Sequence, residues 1–197
     1  MKIGVLASQG AFAEHIAILE RLGVEAVAVR LPEDLEGIDG LIIPGGESTT
    51  ISKLMVHYKL SDPIRKLAKK GIPIWGTCAG MIMLADKLPG STVEPLGLMK
   101  IGVKRNAFGR QKESFETELD IPALGKKPFP AVFIRAPAIE ECNGDVEVLA
   151  RLDDGTVVAA RQGKLLASAF HPELTEDTRF HQYFLDMIAG KKGNKKT

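Results

Sequence analysis

Cys78 stands in Gly-Thr-Cys-Ala-Gly, residues 76–80, between the apolar run Ile-Pro-Ile-Trp (72–75) and a second one, Met-Ile-Met-Leu-Ala (81–85). Gly-x-Cys-x-Gly is the thiol counterpart of the Gly-x-Ser-x-Gly nucleophile elbow, in which a sharp strand-to-helix turn lifts the nucleophile clear of a sheet. Gly76 and Gly80 lack the Cβ atoms that would obstruct backbone packed against such a turn. A cysteine at the first turn of a helix feels the positive end of the dipole, which favours the reactive thiolate. The backbone N–H of Ala79 follows the sulfur and can donate to an oxyanion. A buried inert cysteine is the competing reading, and the two flanking glycines in a strand-to-helix context argue against it.

Four histidines are available to serve the thiol. His15, His57 and His181 fall within helical patterns, where surface or helix-packing roles are expected. His171 instead ends the run Leu-Leu-Ala-Ser-Ala-Phe (165–170) and precedes Pro172 and Glu173. Residues two apart in extended chain point to one side, so His171 and Glu173 can meet while Pro172 restricts the backbone between them. A carboxylate on one ring nitrogen fixes the tautomer and leaves the other nitrogen to exchange a proton with a thiol. Cys78, His171 and Glu173 thus form a candidate triad, although His-Pro-Glu alone serves equally as a turn with a polar edge.

A second glycine-rich turn, Pro-Gly-Gly-Glu-Ser at 44–48, closes another apolar run. Gly45 and Gly46 can present a backbone N–H to the same pocket, and Ser48 is expected to cap the helix beginning with Thr49 and Thr50. On spacing alone the turn is equally a plain connection. Without the lysine of a P-loop it is poorly suited to nucleotide phosphates.

These residues need a sheet to hold them. Short, nearly continuous apolar runs at 3–7, 24–29, 40–44 and 72–77 read as strands covered on both faces. Helical patterns separate them: Phe12, Ile16, Leu19 and Leu22 with Gly23 as a stop, then two pieces between 48 and 71 interrupted near Ser61 to Pro63. Strand alternating with helix implies right-handed crossovers and a parallel sheet. After Ala85 the texture changes to shorter strands within 97–106, 114–120, 131–137, 146–152, 155–162 and 165–173, with turn signals such as Asn-Gly-Asp. An antiparallel section is expected there, before a final helix from Thr178 to Ile188. The predicted fold is α/β: one flavodoxin-like three-layer domain with a mostly parallel central sheet and an added antiparallel section in the C-terminal half. That domain is expected over 1–190, with the basic segment 191–197 a frayed, solvated tail.

The 197 residues carry 26 Lys and Arg against 25 Asp and Glu, a formal net charge of +1. So even a balance argues against a nucleic-acid binder held by phosphate contacts. No apolar stretch approaches the ~20 residues that span a bilayer, and the N-terminus lacks the pattern of a signal peptide, so no membrane association is expected. Cys78 and Cys142 fit neither a disulfide framework nor a zinc site, which favours a reducing, cytoplasmic location with no metal. Cys142, beside a turn signal, is expected to be structural or incidental.

Several separated segments resemble one family, the glutaminase subunit of pyridoxal 5'-phosphate synthase, a triad-type (class I) glutamine amidotransferase. They are "QGAFAEH" (9–15), "PGGESTT" (44–50), "GTCAG" (76–80), "RNAFGRQ" (105–111), "FIRAP" (133–137) and "FHPELT" (170–175). Ala7-Ser8 is one small departure, away from the triad. The resemblance implies Cys78 as nucleophile and His171 with Glu173 as the relay pair. It also implies L-glutamine binding by Gly46, Glu47, Ser48, Arg105, Ile134 and Arg135, and an oxyanion hole from backbone at Gly45, Gly46 and Ala79. Without it, both arginines read as surface residues. No cofactor is implied. The glutaminase motifs run from about residue 9 to residue 173, so the ammonia acceptor is expected on another polypeptide, a (β/α)8-barrel synthase subunit on which activity depends. A sister glutaminase such as that of imidazole glycerol phosphate synthase, a cysteine hydrolase of related fold and a silent regulatory subunit are the rival readings.

Overall fold

In the computed structural model, which describes residues 1–109 and 113–190, the apolar runs become strands and the periodic segments between them become helices. The expected tail 191–197, and Arg110 and Gln111 of the 105–111 segment, lie outside the described residues. The N-terminal half runs β1 (Lys2–Leu6), α1 (Phe12–Arg21), β2 (Glu25–Val29), β3 (Gly40–Ile43), α2 (Ser48–His57), α3 (Ser61–Lys69), β4 (Ile74–Thr77) and α4 (Ala79–Leu84). The C-terminal half adds β5 (Ala85–Lys87), β6 (Met99–Lys104), β7 (Ser114–Leu119), β8 (Phe129–Ile134), β9 (Ala138–Cys142), β10 (Glu147–Arg151), β11 (Val157–Gln162), β12 (Leu165–Ser168) and α5 (Arg179–Ile188).

The main sheet has the order β2-β1-β3-β4-β12-β11-β9-β6-β5, with β10 paired to β11. From β2 to β12 the neighbours are parallel, as expected for strands joined through helices. β11 turns the sheet antiparallel, and β9 and β6 continue it in that sense, before β5 closes the edge beside β6 in parallel. β7 and β8 form a separate antiparallel hairpin. One grouping differs from the expectation. The run 165–168 does not belong only to the antiparallel section, because β12 pairs parallel with β4 on one edge and antiparallel with β11 on the other. Its Leu166, Ala167 and Ser168 are all fully buried, as suits a strand covered on both faces.

The covering helices lie on opposite faces, and β4 shows why. Alternate residues of a strand point to opposite sides. The Trp75 ring packs with Phe180, His181 and Phe184 of α5 and with His15 of α1. The neighbouring Gly76 faces α4, where an added Cβ would lie 2.3 Å from Gly80 O. Helices α1 and α5 thus make one outer layer and α4, packed with α2, the other. Among the described residues, no helix is long and apolar enough to cross a membrane.

Ile42, at the centre of β3, has no exposed surface, whereas Val56 on α2 is 57% exposed. Ile42→Ala is expected to cost about 2–5 kcal/mol through lost burial and a residual cavity, and Val56→Ala within about 0.5 kcal/mol. Urea unfolding of the two variants checks the contrast.

Candidate active site

In an open α/β sheet, ligands bind beyond the carboxyl ends of the parallel strands. Cys78 leaves β4 at that edge as the N-cap of α4, with φ of +48° and ψ of −105°. A non-glycine residue adopts such angles only where its surroundings hold it there. The restraints are visible. Cys78 N–H donates to Ser168 O at 2.7 Å, and α4 is pressed so closely on β3 that a Cβ at Gly80 would lie 1.8 Å from Ile43 O. Cys78 as a whole is 6% exposed, and its sulfur lies 3.8 Å from Ile134 O at the end of β8.

His171 follows β12 by three residues and reaches the same edge. Its N–H donates to Val132 O at 2.8 Å, and Nδ1–H donates to Glu173 Oε1 at 2.7 Å. The other ring nitrogen is left for Cys78, and the two side chains lie together against Gly45. Burial opposes a charged imidazole here, but hydrogen bonds to Cys78 and Glu173, and the charges of both, outweigh it and push the His171 pKa up to about 10. The side chain of Glu173 is fully buried. The three residues of the expected triad are therefore in mutual reach.

The 44–48 turn closes directly over the pair: a Cβ at Gly45 would lie 2.4 Å from His171 Cε1 and 3.2 Å from Cys78 Cβ. The turn is held from the β1–α1 connection. Gly45 O accepts from Ala11 N–H at 3.3 Å, and Glu47 N–H donates to Gln9 Oε1 at 2.7 Å. In the sequence Gln9 stands out only as part of a family segment; its role as a clamp has no signature in spacing. Ala79 is the first residue of α4, where the helical ladder has no use for its N–H.

The expected cap of α2 is corrected. Ser48 is the buried first residue of the helix and the cap is Glu47, whose carboxylate accepts from Thr49 N–H at 2.9 Å, Thr50 N–H at 2.7 Å and Thr50 Oγ1 at 2.6 Å. A carboxylate reaches two amides at once and complements the helix dipole, which the shorter serine hydroxyl cannot match. The Thr50 hydroxyl bond, against a smaller burial cost and with help from the Thr49 and Thr50 amides, lowers the Glu47 pKa to about 2.

Arg105 stands at the rim, with Nη2 3.7 Å from Glu47 Oε1 and Nη1 donating to Ser91 Oγ at 3.3 Å. Ile134 is 37% exposed beside Cys78. Arg135 adopts φ of +43° and its N–H donates to Glu113 O at 2.5 Å. The Arg135 guanidinium makes no hydrogen bond or ion pair with the other expected site residues among those described. His15 and His181, expected in helix packing, are indeed on α1 and α5 but lie fully buried behind the site, with His15 Nε2 3.3 Å from Glu173 Oε2.

The profile of the SNO glutamine amidotransferase family matches residues 5–190. The chain is 61% identical over 189 residues to "Pyridoxal 5'-phosphate synthase subunit PdxT" of Dehalococcoides mccartyi, covering 95% of this chain and 97% of that relative. It is 60% identical over 190 residues to the protein of the same name from Herpetosiphon aurantiacus, covering 95% of this chain and all of the relative. Among solved structures, one titled "Crystal structure of glutamine amidotransferase" superposes with a TM-score of 0.90 at 52% identity, covering 95% of this chain and 98% of that one. PurLQS from Thermotoga maritima shares the fold at a TM-score of 0.69 and 18% identity, over 95% of this chain and 98% of the matched chain.

The buried histidines give a pH signature. Burial, then the charges of His181 and His171, holds His15 well below 6.5, and burial, then Arg21, lowers His181 to about 3. Both are neutral when folded and take up protons when unfolded below 6.5, so the stability they contribute is complete above pH 6.5 and falls as pH drops toward 3. His171 has the opposite sign: its contribution is complete below 6.5 and is lost as pH rises through about 10. Urea-unfolding free energy is expected to decline from pH 6.5 to 5.5, above the 4.5 at which an ordinary glutamate such as an unfolded Glu47 titrates, and His181→Phe should flatten that decline. A flat wild-type profile in that window would contradict the neutral buried pair.

Proposed function

The chain belongs to the SNO glutamine amidotransferase family, and we propose that it is the glutaminase subunit of a pyridoxal 5'-phosphate synthase, hydrolysing L-glutamine to L-glutamate and ammonia through Cys78, His171 and Glu173. The observation that carries the reading is the meeting of a thiol on a strained turn with an imidazole whose far nitrogen is bonded to a buried carboxylate at 2.7 Å. The glutaminase unit comprises residues 1–190. Relatives at about 60% identity that bear the synthase-subunit name favour this acceptor over that of a sister glutaminase.

The Cys78 thiolate attacks the side-chain amide carbon of glutamine, and the carbonyl oxygen becomes an oxyanion. The N–H of Ala79 and an amide of the Gly45–Gly46 turn stabilise it. Protonated His171 gives its Nε2 proton to the departing nitrogen, ammonia leaves and a glutamyl thioester remains. Neutral His171 then takes a proton from water, whose oxygen attacks the thioester; the second oxyanion collapses, the C–S bond breaks and glutamate is released. Glu173 holds the imidazole tautomer and stabilises the imidazolium throughout. Gly46, Glu47, Ser48 and Ile134 line the substrate site. Arg105 and Arg135 recognise the α-carboxylate, a task suited to guanidinium groups. Arg105 supports this best, because its distance from Glu47 leaves the guanidinium only loosely engaged at the rim.

Ammonia passes to a (β/α)8-barrel synthase subunit, and docking of that subunit completes the oxyanion turn. Two features support the second step. The Gly45 carbonyl is held by a long 3.3 Å bond to Ala11, and two adjacent glycines let the peptide between them reorient at low steric cost. With the synthase subunit present, Cys78→Ala is expected to abolish product formation from glutamine, by at least roughly a thousandfold, while leaving synthesis from added ammonium salt. Glutamine-dependent synthesis by the alanine variant would remove Cys78 as nucleophile. The subunit alone should hydrolyse glutamine weakly, and full activity without the partner would remove the docking step.

A further inference from the structure

Behind the triad lies a second polar chain that the proposed reaction does not use. His15 on α1 and His181 on α5 have no exposed surface, and His15 Nδ1 stands 2.9 Å from His181 Nε2. His15 Nε2 lies 3.4 Å from Thr77 Oγ1 and 3.3 Å from Glu173 Oε2, the carboxylate oxygen that His171 does not occupy. Among the described residues neither that oxygen nor His181 Nδ1 has a hydrogen-bond partner of good geometry, so the 3.3 Å approach of His15 is a charge–dipole contact with Oε2. The Trp75 ring packs on both imidazoles, 5.5 Å and 4.9 Å from their centroids, so an aromatic wall closes one side of the buried cluster.

Only one tautomer of His15 suits these surroundings. If Nδ1 carried the proton, it would donate to His181 Nε2, and the bare Nε2 lone pair would face the Glu173 carboxylate. His181 would then carry its proton on Nδ1, a buried donor without an acceptor, which is costly. If Nε2 carries the proton, every strong donor has an acceptor: His181 Nε2–H donates to His15 Nδ1, and His15 Nε2–H donates to Thr77 Oγ1 while lying within ion-pair range of Glu173 Oε2. The orphan that remains is a lone pair on His181 Nδ1, the cheaper one to leave. Burial keeps both rings neutral, so neither brings a competing charge.

We propose that His15 is a positioning residue for Glu173: its Nε2–H holds the inner carboxylate oxygen, with His181 fixing the His15 tautomer, so that the outer oxygen stays aimed at His171. Without that N–H, the buried Oε2 loses the positive hydrogen that faces it at 3.3 Å. Glu173 must then take up a proton or rotate toward Thr77, and either change weakens its support of the His171 imidazolium. The charged and titratable groups around the chain are His171, Glu173 and, beyond His181, Arg21.

The role in turnover rests on the glutaminase reading, but the effect on the thiol does not, and the two separate experimentally. In a Cys142→Ser background, which removes the other cysteine, the pH profile of Cys78 alkylation by iodoacetamide reports thiolate formation without glutamine. His15→Phe, which keeps a ring but removes the donor, is expected to move that profile up by about one pH unit and to lower kcat for glutamine roughly ten- to hundredfold in the synthase complex, with KM within about twofold. His15→Gln, which places an amide N–H near the lost one, should recover much of both. Nitrogen-15 NMR of the wild-type histidines should show His15 as a neutral Nε2–H tautomer from pH 5 to 9, a readout that needs no variant to fold. A His15 Nδ1–H tautomer, or a folded His15→Phe variant with wild-type alkylation and kcat, overturns the proposal. A shifted alkylation profile in a chain that hydrolyses no glutamine sustains the positioning role and overturns the glutaminase reading instead.

Discussion

The site depends on the parallel pairing of β12 with β4. Thr77 lies opposite Ser168 in register, and Cys78 N–H extends the ladder by one more bond, to Ser168 O. Two strands drawn from segments some ninety residues apart therefore end at one level. That alignment sets the starting point of the chain beyond each strand: a sharp turn into α4 on one side, and the short path through Ala169 and Phe170 to His171 on the other. β8 braces the second path, since Val132 O accepts from His171 N–H while Ile134 O faces the Cys78 sulfur. A parallel pair can be joined only by a long crossover. Here the crossover includes the whole antiparallel section, so that section contributes to the site through β8 as well as by extending the sheet.

The strained turn at Cys78 is maintained by packing that tolerates no extra atoms. A residue at positive φ without glycine's freedom costs on the order of 1–3 kcal/mol. Neighbouring contacts offset it: α4 is buried along its entire length, and both glycines of the elbow lie within contact distances that a Cβ would violate. The glycines thus act less by flexing than by letting β3, β4 and α4 approach. Gly45 is the same device applied from above, where the absence of a side chain brings a backbone turn against the imidazole and the thiol.

The parts legible from sequence were those with a local cause. β3 and β4 announced themselves as apolar runs between turn signals, and the elbow announced itself by its glycines. Where the cause was distant, the reading was incomplete or wrong. The partnership of β12 with β4 is a long-range pairing that its apolar run could only permit. β9 carries no strand signal of its own, since Ala-Ile-Glu-Glu-Cys has exposed glutamates at its end and takes its place in the sheet from β6 and β11. Ser48 lost the capping role to Glu47 because cap preference ranks short side chains without knowing that a carboxylate can accept from Thr49 and Thr50 together. The three histidines of the helical patterns look alike in the chain, and only burial separates His15 and His181 from His57.

Helix α1 carries both halves of the site's support. At its start, Ala11 N–H holds the Gly45 carbonyl, and the preceding Gln9 accepts from Glu47 N–H. One turn later, on the face toward the sheet, His15 stands against the inner oxygen of Glu173. One rigid element therefore fixes the turn above the thiol and the carboxylate behind the imidazole. The polar contacts on α1 resist movement weakly at its start, where the Ala11 bond is 3.3 Å long, and strongly at His15, which is locked among Trp75 and His181. The fold thereby packs the Glu173 side of the candidate site tightly and holds the Gly45 turn by a longer bond.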